Sequence, residues 1–448
     1  MKLARTPERI RVRGAATLVL LAATIIVVIL AALLAACGGS SSSSTSSSAS
    51  PGGSGTVTLW HGDVDVERAA LENMAAQYNG TNPPWKVQTV FSGNSDYALQ
   101  KLLTAMAGGK APDMMYQYGS SLPNLARSPK IVTIGDLIAK TPSYDWNDFY
   151  PAARLACTVN GKIKAVPSLI DNLCLVYNKK LFDQAGVSYP TAQWTWTDFR
   201  DAARKLTNAS VKQYGWAYVA DGSEDSVWRY LATLWQANGN LLNADNTKAA
   251  FDSPAGLASM TLLHDMAVVD KSVYLDTGNG NYMNLFNNGK IAMLWTGPWD
   301  MSTINKDVQY DVEILPADVV HASIAGPDSW IMVDNGADRV QGAWSFLQWF
   351  TSAKGHLEYA IKTGNLPIRE SETKLPEYKQ YLTKYPYAKV FVDNLNNVTK
   401  ARPNIPQYPK ISIALGQAVQ GVLLGKLQPQ QALDQASQQV DAILSAPM

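Results

Sequence analysis

The chain reads as an α/β protein built in two units. From Thr56 onward, short apolar runs of strand length alternate with amphipathic stretches of helical period, which argues for a parallel sheet with helices on both faces. A second series of the same kind begins near Leu173. Roughly 390 residues follow Gly55, more than a single hydrophobic core usually holds, so two lobes are expected.

A leader comes first. Lys2, Arg5, Arg9, Arg11 and Arg13 form a positive start, and residues 15–36 form an apolar stretch long enough to span a bilayer. It closes on Leu34, Ala35, Ala36 and Cys37, with Gly38, Gly39 and a serine tract behind. A small-residue site ahead of a cysteine resembles a bacterial lipobox, where the thiol is lipidated and the leader removed. That resemblance makes 1–36 a signal peptide and Cys37 a lipid-anchored N-terminus on the extracytoplasmic face of the cell membrane. Left uncleaved, the same stretch would be a transmembrane anchor. Either way the basic start stays inside and the rest is exported. Residues 37–55 are almost wholly Ser and Gly around Pro51, a flexible tether with nothing to contribute to a core.

Residues 56–60 then read as a buried strand, 64–78 as an amphipathic helix and 85–91 as a second strand. A helix over 95–107 is opened by Ser95 and stopped by Gly108 and Gly109, and 112–116 supplies a third strand. In the second series, 173–177 is a strand and 197–206 a helix started by Thr197 and Asp198. A strand over 215–220 leads to a longer helix over 224–238, closed at Gly239. Helices over 254–269 and 282–288 precede a strand at 291–295. After a strand at 330–333 the chain is mostly helical, with Trp344 and Trp349 assigned to core and Pro367, Pro376, Pro403, Pro406, Pro409 and Pro429 marking breaks.

Removing the leader takes away five of 38 basic and one of 37 acidic residues, leaving 33 against 36 and a net charge of −3. That balance offers no basic surface for nucleic acid. Cys157 and Cys174, in an oxidising compartment, either pair as a disulfide or lie apart as small buried side chains, and the sequence leaves both open. His61, His264, His321 and His356 show no zinc spacing. Gly108, Gly109 and Lys110 imitate the end of a phosphate loop, but its leading Gly and trailing Ser or Thr are missing. There is no Gly-x-Ser-x-Gly elbow. A carboxylate pair for glycoside hydrolysis needs only to meet in space, so an exported glycan-active enzyme stays open as an alternative. No catalytic residue, cofactor or metal is expected otherwise.

The positive signal is aromatic. Thirteen Trp and 20 Tyr are many, and several adjoin polar residues where strands end: Trp60 before His61 and Asp63, then Trp228, then Trp295 to Asp300. A sugar presents flat CH faces and a rim of hydroxyls, so its receptor needs rings for the faces and fixed polar groups for the rim. In open α/β sheets that pocket forms beyond the carboxyl ends of strands.

At this point the motifs resemble a family. They are VTLWHG from Val57, GGKAPD from Gly108, GKIKAVP from Gly161, VYNK from Val176, NGKIAMLWTGPW from Asn288, KTGNLPI from Lys362 and RPNIPQ from Arg402. Each is weak alone, but together and in this order the chain looks like an extracellular solute-binding protein of the carbohydrate ABC-importer class, similar to maltose-binding and glycerol-3-phosphate-binding proteins. The resemblance covers nearly all of 56–444. It implies a two-lobed periplasmic-binding-protein-like α/β fold with crossing hinge segments and a ligand cleft between the lobes. Crossings are expected near 167–173, 322–327 and 365–369, giving one lobe from 56–167 and 325–366 and the other from 168–324 and 367–448.

Carried over residue by residue, the resemblance marks Trp299 as a ring that stacks on sugar. It marks Asp63 as a cleft acid, Ser95 and Gln117 after the first strands, and Asp171 and Asn172 at the first crossing. Trp228, Gly297, Asp328, Ser329, Asn365 and Tyr408 complete the expected ligand-binding set. Phosphate-gripping relatives place an Arg just after the Pro-Gln pair, whereas here Pro406 and Gln407 precede Tyr408 and Pro409, with Arg402 and Lys410 the nearest substitutes. Maltose-binding relatives carry a second Trp where this chain has Ser412. A neutral mono- or oligosaccharide is therefore the expected ligand and glycerol-3-phosphate or a glycerophosphodiester the alternative. The expected partners are ABC permease subunits in the membrane, and the protein itself is expected to be a monomer.

Overall fold

The computed structural model describes residues 53–93, 95–278 and 280–447, without the side chains of 65 and 95–98. Cys37 and most of the tether lie outside the described residues. Two five-stranded sheets organise the chain. The first contains β1 (Gly55–His61), β2 (Trp85–Phe91), β3 (Met114–Tyr118), β6 (Val166–Leu169) and β12 (Asp328–Met332), in the order β2-β1-β3-β12-β6. A small hairpin of β4 (Thr158–Val159) and β5 (Lys162–Ile163) stands beside it. The second sheet contains β7 (Cys174–Asn178), β8 (Tyr214–Val219), β9 (Val273–Asp276), β10 (Ile291–Thr296) and β11 (Tyr310–Glu313), in the order β11-β7-β10-β8-β9.

Neither sheet is wholly parallel, which corrects the expectation from the alternating pattern. β1 runs parallel to β2 and β3, but β12 is antiparallel to β3 and β6. Likewise β10 and β8 are parallel, and β7 is antiparallel to β10 and β11. The reason lies in the crossings. β1, β3, β8 and β10 run toward the region between the sheets, whereas β7 and β12 begin there as the chain arrives from the other sheet, and so they point the opposite way.

The crossing segments are tied together by isolated bridges, Ile170 to Leu366 and Asn172 to Ala325. The third passage comes later than the sequence suggests. Residues 368–384, expected in the second lobe, stay with the first: Arg369 bridges to Phe149, and Glu372 meets His356 at 2.9 Å in a fully buried pair. By Tyr387, whose ring stands 5.6 Å from that of Tyr310 on β11, the chain is packing back on the second sheet, and the helices Tyr408–Leu423 and Pro429–Ser445 complete that lobe's core.

Each core follows from strand alternation. Val57 and Leu59 face one side of the first sheet and pack with Leu71, Met74 and Tyr78 of the helix Asp65–Gly80, together with Trp344, Phe346 and Phe350. Trp349 is partly buried against the same cluster. Met115 and Ile331 face the other side, toward Leu102, Met106, Leu122 and Leu125. Trp60 belongs to that second layer, with the Lys101 ammonium 4.7 Å from its ring, and does not line the cleft described below. In the second lobe Phe199, Trp216 and Trp295 form an aromatic nucleus with centroids 5.1–5.2 Å apart. The helix there starts one residue earlier than predicted, over Trp196–Leu206, because Thr195 rather than Thr197 is its N-cap, in a reciprocal capping box with Asp198. Cys157 and Cys174 are separate buried thiols, not a disulfide; the Cys174 sulfur contacts Asn172 and Asn394. Among the described residues no helix is long and apolar enough to cross a membrane.

Candidate functional site

A cleft of about 400 Å³ opens where the carboxyl ends of β3, β8 and β10 meet the start of β12 and the crossings. Its aromatic wall is built from the second lobe. Strand β10 ends at Thr296, and Pro298 starts a short helical turn that carries Trp299 into the cleft. Trp228 comes from the helix Glu224–Gln236, whose N-cap Ser223 accepts a hydrogen bond from the Asp225 amide. The two indoles stand 5.6 Å apart at 49°. Trp228 is buried and its Nε1 has no hydrogen-bond partner, whereas Trp299 is partly open.

Opposite and below lie carboxylates. Asp328, the first residue of β12, accepts a hydrogen bond from the Tyr116 hydroxyl across the sheet. Asp171, on the first crossing, takes the Gly326 amide on Oδ1 at 2.8 Å. Glu67, one turn into the first helix, accepts from Asn365 Nδ2 at 3.1 Å. Burial pushes Asp328 up to about 7 even though the Tyr116 hydrogen bond and Arg402 pull the other way. Burial, then Asp328, raises Asp171 strongly, and burial also raises Glu67.

Two arginines face this cleft, and both are taken. Arg402 meets Glu224 Oε1 at 2.8 Å, and the same carboxylate accepts from the Tyr408 and Ser412 hydroxyls. Arg229 is buried and paired with Asp225 one turn earlier, with its Nε donating to the Trp295 carbonyl at 3.3 Å. Burial works against the charge on each guanidinium, but Glu224 and Asp225 hold it in place.

Of the residues predicted from sequence, Asp171, Trp228, Trp299, Asp328 and Asn365 line this one cavity. Six others do not line it. Asp63 is buried beside the cleft, close enough that Glu67 and Asp328 add to the effect of burial in raising its carboxyl. Its neighbour His61 lies 3.8 Å away, but burial, then Arg68, lowers the imidazole to about 4, so the contact is not an ion pair at neutral pH. Gly297 lies under the Trp299 ring, and Tyr408 stands behind Glu224. Asn172 braces the crossing, donating to the Phe391 carbonyl at 2.7 Å and accepting from Asn394 at 3.0 Å.

Gln117 and Ser329 face away from the cleft. They pair across β3 and β12, and because Tyr116, Tyr118 and Asp328 face the cleft, strand alternation turns these two to the opposite side. Both are fully buried, and the Gln117 amide and Ser329 hydroxyl have no hydrogen-bond partner. The Ser95 side chain and Cys37 lie outside the described residues. Lys410 is exposed and does not reach the cleft, whereas Arg402, named only as a phosphate substitute, does.

Sequence reasoning missed Glu67, Tyr116, Tyr118, Asp221, Glu224, Asp225 and Arg229. A signal for three of them was present. Ser223 caps a helix directly after a strand, which puts Glu224, Asp225, Trp228 and Arg229 in its first turns at the strand's carboxyl end. Among the described residues no group of His, Cys, Asp or Glu is placed to hold a metal ion.

The family model for bacterial extracellular solute-binding proteins matches residues 63–356. Over 413 residues the chain is 24% identical to the sn-glycerol-3-phosphate-binding periplasmic protein of Escherichia coli, an alignment covering 87% of this chain and 92% of that protein. An ABC substrate-binding protein of Listeria monocytogenes in complex with cycloalternan is similar with a TM-score of 0.79 at 25% identity, over 86% of this chain and 98% of that one. An ABC transporter solute-binding protein of Thermotoga lettingae bound with α-D-tagatose is similar with a TM-score of 0.77 at 27% identity, over 88% and 100%.

Proposed function

The chain belongs to the bacterial extracellular solute-binding protein family, and from that premise we propose that it binds a mono- or oligosaccharide between its lobes and delivers it to the permease of an ABC importer. One observation carries the choice of ligand: Trp228 and Trp299 stand over a cleft whose two arginines among the described residues, Arg229 and Arg402, are already committed to Asp225 and Glu224. Paired rings suit the apolar faces of a pyranose, and carboxylates accept its hydroxyls. A phosphate would have to enter beside Asp171, Asp328 and Glu67 with no uncommitted cation among the described lining residues to meet it. The cycloalternan and tagatose complexes of similar proteins support the same reading.

Calorimetric titration of the full chain in detergent with saccharides, glycerol-3-phosphate and glycerophosphodiesters tests it. Saccharide binding that is clearly weakened in Trp299→Ala, with the melting temperature kept, supports the proposal. Binding of only the phosphate compounds would overturn it. The similarity to the glycerol-3-phosphate-binding relative favours that second reading. It requires Arg402 to leave Glu224, so affinity would fall steeply with salt and in Arg402→Gln. The ligand should be recovered chemically unchanged, as expected of a receptor and not of a glycan-active enzyme.

Anchoring belongs to the same proposal. Cys37 would hold a monomer to the outer face of the membrane through lipid, with 37–55 as slack for docking. Labelled fatty acid should enter the wild-type protein and not Cys37→Ser, which should stay with its uncleaved leader.

A further inference from the structure

Glu224 differs from the other acids of the cleft in how it is held. Burial favours the protonated form of Asp171, Asp328 and Glu67. Glu224 instead meets a guanidinium and two hydroxyls, all from the stretch 402–412. Its Oε1 accepts from Arg402 Nη1 and from the Tyr408 hydroxyl, each at 2.8 Å, and its Oε2 accepts from the Ser412 hydroxyl. Tyr408 and Ser412 are buried one turn apart on the helix Tyr408–Leu423, so they grip the carboxylate from its sheltered side.

Three of its roughly four lone-pair sites are then filled, and the one left is on Oε2. The side chain keeps 15% of its surface and lines the cavity. Glu224 also stands four residues before Trp228, which puts the carboxylate one turn from that indole on the same face of the helix Glu224–Gln236. A pyranose stacked on Trp299, 5.6 Å from Trp228, therefore brings its rim of hydroxyls toward this oxygen. Asp225 is held more loosely, by Arg229 alone among the described residues, and its side chain is 46% exposed. A carboxylate fixed before the ligand arrives loses little freedom on binding and accepts from one direction only, which is what discrimination between hydroxyl positions requires.

We infer that Glu224 Oε2 accepts one particular hydroxyl of the bound saccharide, with Arg402, Tyr408 and Ser412 as positioning residues that aim it. This assignment rests on the saccharide reading and says how the cleft tells one sugar from another.

The full chain in detergent is titrated near neutral pH with glucose, galactose and maltose and with the monodeoxy forms of each. For a sugar that binds, deleting the hydroxyl that meets Glu224 is expected to cost on the order of tenfold in affinity. Glu224→Gln should remove most of that one penalty and leave those at the other positions. Tyr408→Phe and Ser412→Ala should each weaken the parent sugar and lose that effect when combined with Glu224→Gln, because they act only through its carboxylate. Arg402→Gln should weaken the sugar too, without the steep salt dependence of a phosphate contact. Should Glu224→Gln not keep its melting temperature, the two hydroxyl deletions carry the same test, since each should shrink the same single penalty. If Glu224→Gln weakens the parent and all its deoxy forms alike, or the hydroxyl deletions keep their full effect beside it, the assignment is wrong and the saccharide reading stands. If no sugar binds the wild type, the saccharide reading fails and takes the assignment with it.

Discussion

A methyl group at position 297 would stand 1.8 Å from the nearest carbon of the Trp299 ring, so glycine there is what lets the indole fold back over the turn. Gly297→Ala should therefore act through its neighbour, lowering saccharide affinity roughly tenfold to a hundredfold, much as Trp299→Ala does. Thermal melts beside calorimetry separate this from general unfolding, because Trp299 is partly exposed and contributes less to the core than Trp228. Asp328 makes the other prediction at this scale. Its folded pKa is raised from 3.8 to about 7, so the native state holds a proton that the unfolded chain has already released over that window. Its contribution to stability is present in full below about 3.8 and is lost as pH rises toward 7. The melting temperature of Asp328→Asn should gain on the wild type as pH rises from 4 to 7 and run parallel to it above; a constant difference would contradict the burial argument. Motif position located Trp299 in the sequence, and correspondence with relatives located Asp328. It could not locate Glu67 or Arg229, whose roles depend on which helical turn reaches the cavity.

Among the elements, those with both a clear period and a stop signal were legible. Trp85–Phe91 and Ser95–Ala107 have the bounds read from the residues, and Glu224–Gln236 differs only at its last turn. Short strands were not: β6, β9 and β11 span four residues each and carry too little alternation to be told from loop. Gln117 and Ser329 failed for a different reason. A motif places a residue at a strand's end, but the face is fixed by pairing parity, and one residue either way exchanges cleft for core. The Thr195 cap gives a clean contrast. Thr195→Ala should cost about 1 kcal/mol in urea denaturation, while Thr197→Ala, on the exposed side of the first turn, should be near neutral. Equal losses would mean the box contributes nothing.

At the scale of the whole molecule, the cleft is lined by three structurally distinct parts. Glu67 and Tyr116 belong to the first lobe, Trp228, Trp299 and Glu224 to the second, and Asp171, Gly326 and Asn365 to the crossings that join them. A ligand touching all three gains contacts only when the lobes approach, and it can drive closure by no more than its differential affinity for the closed form. Asn172 and Asn394 tie the first crossing to the segment after Phe391 without entering the cavity, where a hinge between the lobes would need bracing. Saturating saccharide should therefore reduce the radius of gyration measured by solution scattering. Trp299→Ala should show the same reduction, but only at the higher concentrations that restore occupancy, because it weakens one wall's hold and leaves the pivot intact. Asn394→Ala should do the reverse, altering the scattering of the unliganded protein while leaving every cleft group in place. If ligand saturates the wild type and the radius does not change, the lobes are already closed without it, and binding energy is not being used to move them.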